Sequence, residues 1–445
     1  MAQISILKFK EINDENRIDA EFYKEIFIEN EKIISKHTWS YLNDLATKIT
    51  DGSHITPNYK EDGIPFLMVR NIGKLTINFD DVKFIDSETD KLLKGCKPKE
   101  GDILLTKVGT LGRVAIVPKD KNFNIFVSLA ILKEINKINK HYLAVFLLTK
   151  NSYLQFIRYA KGISQPDLHL EDIRKIKVPI PSEKFQEEIE KMAILSQKNI
   201  IEAERLYNEA EKLLISEFGL EISRLKSELT YVKKFKEIDT EKRFDAEFYQ
   251  PKFNKLIELI KNKDSCFIKD ILLFNNRGVQ PNYAENGDVK VVTSQHIGEK
   301  FIDYENFDTT IEKDYLRNSK AQIKEFDILI YTTGANIGRA NCFLEKEKAL
   351  ASNHVNILRV KELKPAYVAL FLNSILGQLQ VKKYMRGTAQ AELYPEDIAN
   401  FRVWKAPNSL QTEISNKMIT AQKLRKESKK LLEEAIRKVE EFILK

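Results

Sequence analysis

The sequence predicts an α+β fold built twice over. Two β-rich mixed modules are each followed by a long helix, and the two helices form an antiparallel coiled coil with a pseudo-twofold internal repeat. Three observations predict it. "RIDAEFY" (Arg17–Tyr23) returns as "RFDAEFY" (Arg243–Tyr249), and Lys8–Tyr23 agrees with Lys234–Tyr249 at twelve of sixteen positions without a gap. The correspondence continues through each half at an offset of 224 to 226 residues. Each half then ends at a proline and gives way to charge-rich, glycine-poor sequence with apolar residues at alternating spacings of four and three.

The elements follow in order. Asp19, Glu21, Asp245 and Glu247 could be read as a carboxylate site, but they precede a predicted helix start, where the helix dipole favours acids, so the repeated heptapeptide reads as a packing and start element. "TPNYKEDG" (Thr56–Gly63) and "QPNYAENG" (Gln280–Gly287) read as turns. "GDILLTKVGTLGR" (Gly101–Arg113) and "FDILIYTTGANIGR" (Phe326–Arg339) read as a short strand entering a glycine-bounded turn. "HYLAVFLLTKNSYLQFIRYAKG" and "PAYVALFLNSILGQLQVKKYMRG" carry helical periodicity, with Gly162 or Gly387 as the stop.

Beyond Pro181, the seam Ile189, Ala193, Ser196, Ile200, Ala203, Tyr207, Ala210, Leu214 is matched at offset 225 by Ile414, Met418, Ala421, Arg425, Ser428, Leu432, Ala435, Val439. Arg425 breaks the pattern and is expected at a wet edge. The alternative is two amphipathic helices, each lying on its own module; a helix from Ser182 to Phe218, roughly 55 Å long, exceeds what one module needs. The boundaries read as residues 1–182 for the first module, 183–229 for the first long helix and linker, 230–408 for the second module and 409–445 for the second long helix.

Composition narrows the function. The 445 residues leave room for two or three domains, and 25 Phe, 16 Tyr and 31% charged residues fit a folded chain without a membrane span. The N-terminus does not read as a signal peptide, so a cytoplasmic location is expected. Cys96, Cys266 and Cys342 are too scattered for a disulfide framework or a zinc site. A net charge of +7 favours a polyanionic partner such as nucleic acid.

Sequence signatures of catalysis are missing. There is no phosphate-binding loop with its lysine, no "GxSxG" elbow and no "HExxH". Pro166 and Asp167 followed by Glu171 could open a metal-dependent nuclease motif, but the second copy has Ala391 and Glu392 there, and "EDIRK" lacks the acid-x-Lys partner. What remains is polar loops whose residue types read nucleic acid, since Arg pairs with guanine, Asn or Gln with adenine, and Ser or Thr with phosphate or base. In the first module they supply Ser53, His54, Thr56, Arg70, Asn71, Lys107, Thr110, Arg113, Gln165 and His169. In the second they supply Arg277, Gln280, Ser294, Gln295, His296, Thr333, Asn336, Arg339 and Gln390. These tips differ between copies while the surrounding positions match, as expected of one scaffold that reads two sequences. The rival readings are a two-module protein-interaction scaffold without DNA specificity and a self-contained nuclease.

The "RIDAEFY"/"RFDAEFY" pair, the two "DIL" segments closing on "GR", and the proline exits followed by "FQEEI" (Phe185–Ile189) or "LQTEI" (Leu410–Ile414) together resemble the specificity subunit of Type I restriction-modification enzymes over essentially the whole chain. The resemblance implies that each module is a target recognition domain contacting one half of a split site in double-stranded DNA. It implies that the helices set the spacing and dock two modification methyltransferase subunits, with restriction (translocase-nuclease) subunits as further partners. AdoMet, ATP and Mg²⁺ would then belong to the partners, and this chain would carry no catalytic residue, metal or cofactor.

Overall fold

The computed structural model describes residues 17–162, 164–220, 225, 227–236, 243–304, 307–387 and 391–445. The chain divides into two compact units, Met1–Ile200 with Glu427–Lys445, and Ile201–Lys426. The cuts fall inside two continuous long helices, Glu183–Phe218 and Asn408–Leu444, so each unit includes part of both.

In the first unit, four antiparallel strands stand in the order Ala46–Asp51, Leu129–Ile135, Ile103–Thr106, Val114–Ile116. A second sheet has Ile64–Leu67 between Lys83–Ile85 and Asn124–Ile125, the latter pairing parallel. The central strand "ILLT" is buried throughout, as expected of a strand covered on both faces. The second unit repeats the order as Leu272–Arg277, Val355–Val360, Ile328–Tyr331, Ala340–Cys342, and its second sheet again contains one parallel pair, Val289–Val292 with Ala349–Ala351.

The repeated heptapeptide is a packing element in both copies. Asp19 accepts from the Phe22 amide at 3.1 Å and from Arg17 Nε at 2.7 Å, and Tyr23 Oη donates to the Arg17 carbonyl at 2.9 Å. Asp245, Phe248, Arg243 and Tyr249 repeat these contacts at 3.0, 2.8 and 2.9 Å. Each arginine also lies 4.4 Å over its phenylalanine ring. Helices Glu25–Ile34 and Pro251–Lys261 follow directly. The earlier part of the repeat, Lys8–Asn16 and Glu237–Lys242, lies outside the described residues.

The predicted helix ending at Gly162 is in fact two, Lys140–Phe146 and Lys150–Tyr159, and its counterpart is Pro365–Asn373 and Ile375–Tyr384. Thr149 causes the break: its hydroxyl donates to the Phe146 carbonyl and accepts from the Ser152 amide, ending one helix while capping the next. Gly162 and Gly387 lie beyond the helix ends, at φ of +94° and +93°.

The long helices pair within each unit. In the first, Ile189 and Ala193 are buried in one core with Leu432, Ala435, Val439 and Ile443. Lys438 meets Glu188 at 2.8 Å, and the Ser196 and Ser428 hydroxyls are 2.9 Å apart, so the sequences run in opposite directions. In the second, Ala203, Tyr207, Ala210 and Leu214 share a core with Ile414 and Ala421, and Lys417 pairs with Glu209. The same cores take in the module helices, so each helix part is both coiled-coil strand and module lid. Ile200 and Met418 are half-buried, and Arg425 is exposed, its guanidinium over Phe301. No helix among the described residues is long and apolar enough to cross a membrane.

Candidate nucleic-acid interface

In each unit two of the candidate loops leave the same end of the first and third strands of the four-stranded sheet, which flank a common antiparallel strand. In the first, Ser53–Thr56 follows strand Ala46–Asp51, and the turn Lys107–Arg113 follows Ile103–Thr106. Segment Pro166–Leu168 is stitched to that turn, with the Gly109 amide donating to the Pro166 carbonyl and the Leu168 amide to the Lys107 carbonyl, both at 2.8 Å. The second unit repeats both bonds at offset 225, Gly334 to Ala391 at 3.0 Å and Leu393 to Thr332 at 2.9 Å. Gly112 and Gly338 close the turns at φ of +80° and +89°, and a Cβ on Gly338 would sit 2.6 Å from Val381 methyls, so both the backbone and the space require glycine.

Burial divides the candidates. His54, Thr56, Arg70, Thr110, Arg113, Gln165 and His169 are exposed in the first unit, as are Gln280, Gln295 and Asn336 in the second. Arg277, Ser294 and Arg339 are half-buried, and Gln390 lies outside the described residues. Five others are turned inward. Ser53 bonds to its own loop through Ile55. The Asn71 side chain accepts from the Met68 amide at 2.9 Å and donates to the Asn78 and Asp81 carbonyls. His296, at the matching position, accepts from the Thr293 amide at 3.0 Å and packs tilted against the Phe307 ring, 4.6 Å between centroids. Lys107 is 6% exposed and lies between the carboxylates of Asp51 (3.6 Å) and Asp167 (3.7 Å). Thr333 is buried behind the segment carrying Glu392. "VRN" and "TSQH" are thus the same short 3₁₀ turn, with Asn71 or His296 holding it inside and Arg70 or Gln295 presented outside.

The structure gathers Ser53–Thr56, Lys107–Arg113 and Gln165–His169 into one cluster. His54 Nε2 lies 3.3 Å from Asp51, and His169 Nε2 lies 3.9 Å from Asp167. The Val69–Asn71 turn joins through Arg113, whose guanidinium donates to the Ile72 carbonyl at 3.3 Å. In the second unit Arg277 donates to the Leu393 carbonyl at 2.9 Å, stands 3.8 Å from Glu392 and stacks 4.7 Å over Tyr394. The hydrogen bond from Tyr394 to Glu392 pushes the phenol up from its ordinary pKa, and Asp397 keeps the Arg386 guanidinium charged. Sequence reasoning passed over Lys161 and Arg386, exposed cations at matching positions that pair with Asp172 and Asp397. Their matched offset was the available signal.

The "DIL" aspartates are internal. Asp327 is fully buried, receives two 2.7 Å bonds from Arg359 and accepts from the Lys324 amide. Asp102 accepts from the Lys99 amide, with Lys133 at 3.9 Å, and burial pushes its carboxyl above the usual range. Among the described residues no group of three or more His, Cys, Asp or Glu is placed to hold a metal ion. The arrangement offers two exposed polar surfaces of different composition on one repeated framework.

The chain is similar to known proteins along most of its length. The family model described as "Type I restriction modification DNA specificity domain" matches residues 40–212 and again 241–435. The Type I restriction enzyme EcoBI specificity subunit of Escherichia coli is 29% identical over 177 residues, which span 37% of this chain and 36% of that subunit. The chain therefore matches about a third of that relative's length. A crystal structure of a Type-I restriction-modification system S subunit from M. genitalium aligns at a TM-score of 0.41 and 12% identity, over 92% of this chain and 95% of that one. The HsdS subunit from Thermoanaerobacter tengcongensis aligns at a TM-score of 0.28 and 15% identity, over 92% and 95% of the two chains. With two matched stretches that together cover most of its residues, one in each copy of the repeat, the chain belongs to the Type I restriction-modification DNA specificity family.

Proposed function

We propose that this chain is the sequence-specificity subunit of a Type I restriction-modification complex, each unit reading one half of a bipartite site in double-stranded DNA. The observation that carries this is the matched framework under unmatched tips: backbone bonds recur at the same offset while Arg70 faces out where the other copy has Gln295. Arg and Gln differ in the base edges they satisfy, so the two surfaces select different sequences. The basic balance of the chain adds phosphate attraction that falls with salt.

The subunit itself is non-catalytic on this reading. Two methyltransferase subunits dock on it, restriction subunits join them, and AdoMet, ATP and Mg²⁺ act on those partners in the cytoplasm. The two long helices fix the gap between half-sites, a role supported by their continuity through Ile200 and Lys426. The test is to co-express the chain with its methyltransferase and sequence the methylated bases. One bipartite motif with an undefined gap is expected; modification of DNA without sequence preference would leave a protein scaffold as the better description.

A further inference from the structure

At the base of each tip, three positions recur at matching places in the repeat, and in the first unit their side chains face one another. In the first unit they hold Asp51, at the end of a sheet strand, Lys107, at the start of the glycine turn, and Asp167, on the stitched segment. In the second they hold Arg277, Thr332 and Glu392, with Arg277 3.8 Å from Glu392. The backbone around them is the same. Asp167 pairs with Val108 and Lys161, and Glu392 pairs with Thr333 and Arg386. The charges are not the same: the strand position is negative in one unit and positive in the other, and the cation moves from the turn to the strand.

We propose that this triad is a specificity-positioning latch, whose charge pattern fixes how segments Pro166–Leu168 and Ala391–Leu393 present the tip to DNA. The proposal rests on the DNA-reading function above and names the residues that act beneath the contacting ones. Ion pairs kept in both copies set a contrast. Arg17–Asp19 and Arg243–Asp245 keep their signs, as do Lys133–Asp102 and Arg359–Asp327, and Lys161–Asp172 and Arg386–Asp397. Elsewhere pairs such as Glu31 with Arg158 and Lys177 occur in one copy alone, but at the tips both copies keep charged partners and exchange their places. The triad also reaches the exposed side chains: Asp51 and Asp167 lie beside His54 and His169, whereas Arg277 stacks on Tyr394.

Backbone hydrogen bonds stitch the segment, while the charged side chains of the triad meet one another through charge without a hydrogen bond. The contacts of Lys107 are 3.6 and 3.7 Å long, and Asp167 Oδ1, Arg277 Nε and Thr332 Oγ1 are buried with no hydrogen-bond partner among the described residues. Reversing one member therefore sets like charges against each other in a poorly solvated site. Asp51→Arg places a second cation beside Lys107. Adding Lys107→Thr and Asp167→Glu recreates the second unit's set in the first.

The test uses the full methyltransferase complex with two readouts. Hydrogen exchange follows the amides of Gly109 and Leu168, with Gly334 and Leu393 as internal controls; the methylated motif reports each half-site. D51R is expected to speed exchange at Gly109 and Leu168 alone and to cut discrimination at one half-site by about tenfold, the scale of coupling between contacting charges. The triple variant is expected to restore both. Unchanged exchange and motif in D51R would overturn the proposal, as would a folded triple variant that stays as defective as D51R. Faster exchange with an unchanged motif would also overturn it, since the latch would then have no part in readout. A complex that modifies DNA without base preference before any substitution overturns the underlying DNA reading instead, while the exchange data still report whether the triad fastens the segment.

Discussion

Asp327→Asn should cost the second unit far more than Asp102→Asn costs the first, although both aspartates occupy the same place in the repeated "DIL" segment. Asp327 is fully buried and bidentate to Arg359, which is stacked over Phe274. Removing one charge of such a pair strands the other, at a typical cost of ~3–5 kcal/mol. The Arg359 side chain retains 24% exposure, so solvent recovers part of this and about 3 kcal/mol is expected. Asp102 differs: its cation is 3.9 Å away and donates at 2.7 Å to the Lys97 carbonyl instead, and burial disfavours its charged form. Asparagine there can keep the bond from the Lys99 amide, for a cost of about 1 kcal/mol or less. At ~2–4 °C per kcal/mol for a unit of this size, D327N should lower its transition by ~6–12 °C and D102N by only a few degrees. Thermal unfolding, with hydrogen exchange assigning each transition to its unit, measures both. Equal shifts, or a larger one at Asp102, would refute the ion-pair reasoning.

Three further outcomes are expected. Ser196 and Ser428 exchange hydroxyl and carbonyl bonds in a buried contact, and their counterparts at offset 225 are the buried Ala421 and Ala203; S196A or S428A alone should cost ~1 kcal/mol while the double variant is close to neutral, as a thermodynamic cycle will read. Arg70→Ala should relax one half-site and Gln295→Ala the other, whereas Asn71→Ala should loosen the turn itself and lower stability by ~1–3 kcal/mol; methylation motifs and melting curves separate the two effects. Seven residues inserted after Ile200 and again after Lys426 keep the seam in phase and add about 10 Å, so the gap in the methylated motif should lengthen by up to about three base pairs at ~3.4 Å each. An active insertion variant with the original gap would reduce the helices to a docking surface.

Much of the architecture is legible in sequence because it is periodic or repeated. The seam residues from Ile189 to Val439 declare themselves by spacing, and the wet edge expected at Arg425 is where the structure places it. "RIDAEFY" is legible as a start element because two copies of one sequence have one job. The break at Thr149 is not legible, since the surrounding apolar positions remain in helical phase and only a local hydroxyl bond ends the helix. The tips are the least legible. Asn71 and His296 look like base readers, yet their buried side chains hold the turns from inside, and nothing in their own loops distinguishes a polar side chain that faces out from one that faces in. Lys107 is drawn inward by two carboxylates distant in sequence, a fact that only the fold supplies.

The central claim is that base choice resides in the tips, one half-site to each unit. It is tested most directly by replacing residues 271–399 with residues 45–174, so that both units carry the first unit's strands and loops on the original helices. Sequencing the methylated bases produced by this chimera with its methyltransferase should show a motif in which both halves are the half-site that Arg70→Ala relaxes. A folded, active chimera that still methylates the original two different half-sites would contradict the account.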